Sequence, residues 1–205
     1  MKQFIWEKKK ELSEDFCKHC IEKFESDENK IVGMLGTDSI VDLSMKRSLD
    51  LLMSVFPQWN EEDRVFFNSI HNCLYEYTNY LEKEFNKNDL FNPFVYSEKY
   101  NSNFVDSGYQ IQRTKPGEFY DWHSDTNIMV VPPKVRFRAI TYIWYLNDVL
   151  DEGYTEFIDG TKIIPEAGKL LLFPATWEYV HRGVSPKKDT KYIATGWFSS
   201  EFTIT

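Results

Sequence analysis

Trp122-His123-Ser124-Asp125 is the stretch around which the rest of this chain can be interpreted. His123 and Asp125 are separated by one residue, and alternate side chains of a β-strand point to the same face of the sheet. A neutral imidazole beside a carboxylate supplies two of the three ligands of a 2-His-1-carboxylate site, which suits Fe(II) because coordination positions stay open. The same spacing also occurs by chance on surface strands, so the pair alone does not establish a metal site.

A third ligand must come from elsewhere in the chain, which contains four histidines, His19, His71, His123 and His181. His19 and His71 fall in segments with helical periodicity, where a packed or surface histidine is expected. Only His181 lies downstream in a strand-like segment, Tyr179–Gly183. The sequence therefore predicts His123, Asp125 and His181 as the metal ligands.

From about residue 100 onward, the period of the apolar residues changes from that of a helix to that of a strand. Many short strands separated by Gly and Pro, without helices between them, are typical of a two-sheet roll. The predicted strands are Gly108–Thr114, Tyr120–Asp125, Arg136–Asn147, Thr155–Phe157, Thr161–Ile164, Lys169–Phe173, Glu178–His181 and Lys191–Phe202.

The first part of the chain has helical signals. Ser13 is a suitable N-cap for one helix, and Asn60 begins a second that is predicted to run to about Phe85. Arg47–Phe56 is predicted as a short helix, and Ile31–Met45 as a short strand or a loop. Each long helix has one apolar face, suited to cover the back of a sheet. We therefore expect a single domain over residues 1–205, with a mostly helical support at 1–100 and a strand-rich core at 101–205.

Composition narrows the function classes. The aromatic content of 17% argues against a disordered chain, and the net charge of −8 argues against a general nucleic-acid binder. No apolar run approaches the ~20 residues of a membrane span, and the first residues lack the apolar core of a signal peptide. Three cysteines fit a reducing compartment, so we expect a cytoplasmic protein without membrane or nucleic-acid partners.

Two of the cysteines lie in Cys17-Lys18-His19-Cys20, inside the first predicted helix. A zinc site would need a second pair of ligands at suitable spacing, and a redox motif would need a βαβ setting. Neither follows in the sequence, so packing of the helix against its neighbours is the favoured interpretation.

Six blocks in the second half of the chain occur in one order. They are Gly117-x-x-Tyr120-x-x-His123-x-Asp125, Tyr142–Asp148, Gly153–Phe157, Pro165–Pro174, His181–Val184 and Lys191–Trp197. Together they resemble the 2-oxoglutarate/Fe(II)-dependent dioxygenases, in particular the prolyl-4-hydroxylase-like branch, over about residues 106–202. One departure is Glu152, which occupies the first position of the Gly-Gly pair typical of the third block.

The resemblance implies a fold, an activity and a set of cofactors. The fold would be mainly β, a double-stranded β-helix (jelly-roll) core with N-terminal helices packed on the outside of one sheet. The activity would be hydroxylation of an unactivated C–H bond, with peptidyl-proline as a candidate, coupled to decarboxylation of 2-oxoglutarate to succinate and CO2. Fe(II), 2-oxoglutarate and O2 are the implied cofactors and co-substrates, and ascorbate is a further candidate. Asp125 favours hydroxylation, because related halogenases lack this carboxylate.

The resemblance also implies residues that would bind 2-oxoglutarate. A Lys or Arg is expected about ten positions after the distal histidine, and Lys191 stands there. Thr195 and Trp197 share its face of the strand, and Tyr145 matches a position whose hydroxyl reaches the same carboxylate. Gln112 and Thr114 are further candidates, although the branch usually has a Tyr near residue 114.

The sequence indicates the substrate contacts less clearly than the metal ligands and the 2-oxoglutarate contacts. Tyr120 and Trp122 flank His123 and could equally be core aromatics, while Arg138 could bind an acidic or peptide substrate or lie in solvent. Arg182 follows the distal histidine and could steer substrate. Thr126–Lys134, which contains Pro132-Pro133, is either a simple connection or a lid over the metal site.

Two alternatives to the oxygenase remain at the level of sequence. One is a jelly-roll isomerase or hydrolase that uses a metal without 2-oxoglutarate, against which Lys191 argues, because its cation would have no carboxylate partner. The other is a non-catalytic binding domain. Whichever holds, the expected partners are a small-molecule co-substrate and a peptide, protein or small-molecule substrate.

Overall fold

The computed structural model describes residues 4–36, 40–86 and 102–203, without the side chains of residues 102–104 and 131. The helices are α1 (Glu14–Ser26) and α2 (Asn60–Phe85). The strands are β1 (Trp6–Lys8), β2 (Ile31–Val32), β3 (Leu49–Leu51), β4 (Ser102–Asp106), β5 (Gln110–Thr114), β6 (Tyr120–His123), β7 (Ile128–Val131), β8 (Lys134–Tyr145), β9 (Thr155–Phe157), β10 (Lys162–Ile163), β11 (Leu170–Pro174), β12 (His181–Gly183) and β13 (Lys191–Thr203).

The strands form two antiparallel sheets. The nine-stranded sheet has the order β1-β11-β8-β13-β5-β3-β2, with β4 paired to β13 and β7 paired to β8. The four-stranded sheet has the order β10-β9-β12-β6. This is the jelly-roll arrangement with N-terminal helices that the sequence predicted.

Both helices begin where the sequence predicted, and α2 also ends at the predicted Phe85. The Ser13 hydroxyl accepts a hydrogen bond from the Phe16 amide and caps α1, because the first amides of a helix have no partner within it. After α2, Asn86 adopts a left-handed conformation with φ of 52°. The cysteines are free and buried, and the prediction that Cys17 and Cys20 pack the helix is confirmed.

The helices cover the back of the nine-stranded sheet. On β8, Tyr142 and Trp144 point toward the helices, and Trp144 contacts Phe66 of α2 with ring centroids 4.9 Å apart. The Trp144 indole also donates a hydrogen bond to the Ser69 hydroxyl. Ile143 belongs to a second apolar cluster on the other face. Strand alternation therefore separates a helix-facing core from the space between the sheets.

Two local predictions differ from the structure. Arg47–Phe56 is not an α-helix, because Leu49–Leu51 pairs with β5 at the sheet edge and only Met53–Val55 makes a 3₁₀ turn. Thr126–Lys134 is not a simple connection, since Ile128–Val131 forms β7 and makes a hairpin with β8; a role as a lid stays a prediction. In both cases pairing with a neighbouring strand determined the local structure.

The segment Met45–Leu51 crosses from one sheet to the other. Arg47 exchanges two main-chain hydrogen bonds with Phe119, and the Asp121 amide donates to the Met45 carbonyl, at the β6 edge of the small sheet. Residues 49–51 then continue as β3 on the large sheet. At the crossing, Lys46 and Asp50 form a buried ion pair 2.6 Å long. We call residues 45–51 the crossing segment.

Among the described residues, neither helix is both long and apolar enough to cross a membrane.

Candidate active site

The three predicted ligands meet between the two sheets. His181 of β12 stands directly opposite His123 of β6 in the strand register, and Asp125 follows the end of β6. One ligand atom from each residue can be chosen so that all three lie within 4.8 Å of one another. Nε2 of His123 lies 3.8 Å from Oδ1 of Asp125, and Nε2 of His181 lies 3.8 Å from Oδ2.

Main-chain carbonyls orient both histidine rings. Nδ1 of His123 lies 2.7 Å from the Asp121 carbonyl oxygen, and Nδ1 of His181 lies 2.9 Å from the Tyr179 carbonyl oxygen. A carbonyl can only accept a hydrogen bond, so Nδ1 carries the proton in each ring and Nε2 offers its lone pair. The Nε2 atoms of both rings therefore face the same space as the Asp125 carboxylate.

The protonation states suit a cation. Burial, together with the neighbouring His181 ring, lowers the pKa of His123, so its imidazole is neutral. Burial by itself raises the pKa of Asp125, but the two imidazoles and a hydrogen bond from Thr141 hold that pKa below its usual value. Two imidazoles and one carboxylate are a donor set that fits Fe(II).

A cavity extends from the ligands into the space between the sheets. It is lined by Gln112, Thr114, Tyr120, His123, Asp125, Thr141, Ile143, Thr155, His181, Gly183, Lys191, Ile193, Thr195 and Trp197. The structure thus brings Lys191, Thr195, Trp197, Gln112 and Thr114 to one cavity with the ligands, as the sequence predicted.

Lys191 is the buried cation of this cavity. Its side chain is 4% exposed, and Nζ donates a hydrogen bond to the Gly153 carbonyl oxygen at 3.0 Å. Burial lowers its pKa to about 8. No carboxylate of the described residues pairs with it, and a buried ammonium without a counter-ion is costly. The site therefore fits a ligand that brings its own carboxylate, as 2-oxoglutarate does.

The turn that holds Gly153 contains the departure noted in the sequence. Glu152 and Gly153 have φ of 66° and 72°, in the left-handed region that glycine tolerates best. Glu152 therefore adopts the conformation expected of the glycine it replaces, and the turn still presents the Gly153 carbonyl to Lys191.

Tyr145 does not line the cavity. Its hydroxyl donates to the Thr155 hydroxyl at 2.7 Å, and Thr155 is the residue that faces the space. Thr141, Ile143 and Thr155 were absent from the predicted site. Ile143 could have been found by alternation along β8, whereas no local pattern distinguishes Thr141 or Thr155.

Trp122 and Arg182 face away from the cavity. Each is adjacent in sequence to a ligand, so alternation turns its side chain to the outer face of the small sheet. There the Arg182 guanidinium lies over the Trp122 ring, 4.6 Å from its centroid, and hydrogen bonds to Glu156. The sequence prediction that these two residues contact substrate is therefore at odds with their positions.

Tyr120 and Arg138 do lie at the site. Tyr120 stacks on the His123 ring. The Arg138 guanidinium stacks on Trp197, 3.6 Å from the ring centroid, and lines a groove that shares Tyr120, Asp125 and Trp197 with the cavity. We call this the outer groove. Within the described part of the chain, Arg138 makes no side-chain hydrogen bond and Trp197 Nε1 has no acceptor.

Comparisons with known proteins agree with this geometry. Residues 109–199 match the family described as the 2OG-Fe(II) oxygenase superfamily. Among curated protein sequences, no match is found.

Solved structures share the fold. A viral collagen prolyl hydroxylase from Paramecium bursaria Chlorella virus-1, in complex with 2OG, is 20% identical over 96% of both chains, with a TM-score of 0.56. A Pseudomonas putida prolyl-4-hydroxylase is 17% identical over 95% of this chain and 92% of its own, with a TM-score of 0.59. A prolyl hydroxylase from Trichoplax adhaerens, in complex with a hypoxia-inducible factor peptide fragment, is 14% identical over 96% and 83%, with a TM-score of 0.67.

Proposed function

We propose that this chain, whose residues 109–199 match the 2OG-Fe(II) oxygenase superfamily, is a 2-oxoglutarate-dependent dioxygenase that hydroxylates prolyl residues of a peptide or protein. The observation that carries the proposal is the buried Lys191 cation, which has no carboxylate partner among the described residues and shares one cavity with the three candidate metal ligands. An isomerase, a hydrolase or a non-catalytic domain has no use for the buried Lys191 cation.

His123, Asp125 and His181 would hold the iron. Bound Fe(II) supplies the activation of O2 that couples oxidation of 2-oxoglutarate to succinate and CO2 with hydroxylation of a substrate C–H bond. The chain's own contribution is to orient both imidazoles, through the carbonyls of Asp121 and Tyr179.

Lys191 would pair with the carboxylate of 2-oxoglutarate that does not reach the metal. The ammonium has donors to spare after its bond to Gly153, and a charge-assisted bond in a dry cavity is strong. Thr114 lies opposite Lys191 in the strand register and lines the same end of the cavity. Ile143 and Ile193 form apolar walls that exclude water.

The substrate would enter by the outer groove. A peptide presents carbonyl oxygens at regular spacing, and these are acceptors for the Arg138 guanidinium, which lines the groove. The pyrrolidine ring of proline is apolar and can pack against apolar and aromatic side chains, and Tyr120, Trp197 and Ile143 line the cavity next to the ligands. Chemistry, groove and the fold shared with prolyl hydroxylases support the same substrate class.

The proposal can be tested with synthetic peptides. The iron-loaded protein would be incubated with 2-oxoglutarate and proline-containing peptides, and with matched peptides in which alanine replaces proline. We expect succinate formation to rise only with proline, and mass spectrometry to find one added oxygen on that residue. His123→Ala should abolish both signals. Turnover of 2-oxoglutarate that is indifferent to proline would refute peptidyl-proline as the substrate and point to a free amino acid or small metabolite.

A further inference from the structure

Asp125 is held differently from the two histidines. Each imidazole donates a hydrogen bond from Nδ1 to a main-chain carbonyl. A carboxylate has no proton to donate, so it needs a hydrogen-bond donor from elsewhere in the chain. Among the described residues, the Thr141 hydroxyl is the side chain that supplies one, donating to Oδ2 of Asp125 at 2.7 Å. Oδ1 faces Nε2 of His123.

We propose that Thr141 is a positioning residue that fixes the Asp125 carboxylate for metal binding. The inference rests on the proposed role of His123, Asp125 and His181 as metal ligands. Thr141 hydrogen bonds to Asp125, one of the candidate ligands, and lines the cavity. Its effect on the metal therefore acts through Asp125.

The position of Thr141 is well suited to this task. It lies in the middle of β8, opposite Phe173 of β11 on one side and Trp197 of β13 on the other, and it is 1% exposed. A β-branched side chain in such a place has few rotamers available. The hydroxyl is therefore fixed by two flanking strands.

Asp125, by contrast, is not held in place by strand pairing. β6 ends at His123, so the Asp125 backbone is no longer part of the strand ladder. The residue is 7% exposed, and loss of the hydroxyl would leave a buried acceptor unsatisfied, which is unfavourable. Without Thr141 the carboxylate would be free to turn away from the two imidazoles.

The side chain offers matched variants. Thr141→Val removes the hydroxyl and keeps the branched shape, whereas Thr141→Ser keeps the hydroxyl and removes the methyl group. Thr78→Val is the control, because Thr78 is also a buried threonine (5% exposed) whose hydroxyl bonds a carbonyl, that of Tyr75. It lies on α2, outside the residues that line the cavity.

The experiment is a titration of the metal-free protein with Co(II), followed by visible absorption and calorimetry. Loss of a group that orients a ligand typically weakens metal affinity by about 10–100-fold, and we expect that for Thr141→Val. Thr141→Ser and Thr78→Val should stay close to the unmodified chain. The Co(II) spectrum should also change in Thr141→Val alone, because the carboxylate would bind in another way. A Thr141→Val protein that binds Co(II) with unchanged affinity would overturn the inference.

Two further measurements keep the test decisive. If Thr141→Val does not fold, Thr141→Ala and Thr141→Ser are compared instead, and equal affinities in this pair would contradict a role for the hydroxyl. The unmodified chain and His123→Ala are titrated alongside. If the unmodified chain fails to bind Co(II), the ligand assignment itself is wrong, whereas normal binding with no effect at Thr141 rejects only the present inference.

Discussion

The ring of Tyr120 lies flat on the ring of His123, with centroids 3.5 Å apart and planes inclined by 8°. Lys46 Nζ lies over the same tyrosine, 5.0 Å from the ring centroid. The orientation of one candidate ligand is thus fixed by a carbonyl at its edge and by an aromatic ring at its face. Tyr120 is the first residue of β6 and His123 the last, so one short strand carries both the ligand and its support.

Tyr120→Leu should weaken metal binding more than Tyr120→Phe. An aromatic pair contributes about 0.5–1.5 kcal/mol beyond its buried area, so we expect up to about tenfold weaker Co(II) affinity in the leucine variant. The phenylalanine variant keeps the stack and should bind nearly as well as the unmodified chain. Calorimetric titration would measure both, and equal affinities would show that stacking does not orient His123.

Lys191→Met should abolish tight binding of 2-oxoglutarate and leave metal binding intact. Removing one partner of a buried charged pair costs about 2–5 kcal/mol, which corresponds to at least a thirtyfold rise in Kd. Lys188→Met is the control, since Lys188 is exposed and pairs with Asp151. Anaerobic titration of the Fe(II) protein with 2-oxoglutarate, followed by its visible charge-transfer band, would report the affinity. A normal band in Lys191→Met would contradict the assignment.

Binding of 2-oxoglutarate should weaken as the pH rises above about 8. Burial lowers the pKa of Lys191 to about 8 in the free protein, and only the ammonium pairs with a carboxylate. Below this pH the charge is present and the affinity should be level. Above it, the proton must be taken up on binding, so Kd should rise by up to about tenfold per pH unit. Calorimetry in buffers of different ionisation enthalpy would detect the proton uptake, which Lys191→Met should lack.

Arg138→Gln should raise the KM for the peptide substrate and leave 2-oxoglutarate affinity unchanged. A hydrogen bond to a charged group contributes about 1.5–3 kcal/mol, so the increase should be at least tenfold. Arg182→Gln is the matched control, because the Arg182 side chain lies on the outer face of the small sheet. If Arg182→Gln raised KM and Arg138→Gln did not, the substrate path proposed here would be wrong.

Lys46→Met should destabilise the fold strongly, because among the described residues it leaves Asp50, buried at 3% exposure, with only the Ser48 hydroxyl as a partner. Breaking a buried pair by removing one partner costs about 3–5 kcal/mol. The double variant Lys46→Met with Asp50→Leu should recover part of that loss. Urea unfolding of the two single variants and the double variant would measure the coupling. Simple additivity would show that the ion pair itself contributes nothing.

The meeting of His123, Asp125 and His181 was predictable, because strand alternation and one remaining histidine left few choices. The same alternation excludes Trp122 and Arg182, each the neighbour of a ligand, and should have removed them from the candidates. Residue spacing was sufficient to predict the candidate ligands because side chains alternate regularly along a strand.

Other features depend on tertiary contacts that spacing does not encode. Lys46 and Asp50 have the i, i+4 spacing of a helical ion pair, yet they form their pair where the chain crosses between sheets. Thr141 matters because β8 passes the end of β6. The hydroxyl of Tyr145 is directed by Thr155, from the opposite sheet.

The crossing segment implies that the strand-rich core cannot be transferred to another protein without residues from the first part of the chain. The family match begins at residue 109, but residues 45–51 bind the edges of both β6 and β5. A graft of residues 109–199 into another scaffold would carry every candidate ligand, but the edges of β6 and β5 would lose the pairing that residues 45–51 provide, and unpaired edges invite pairing with other chains. A transferable form of this core would therefore have to include residues 45–51, although the segment contains none of the candidate metal ligands.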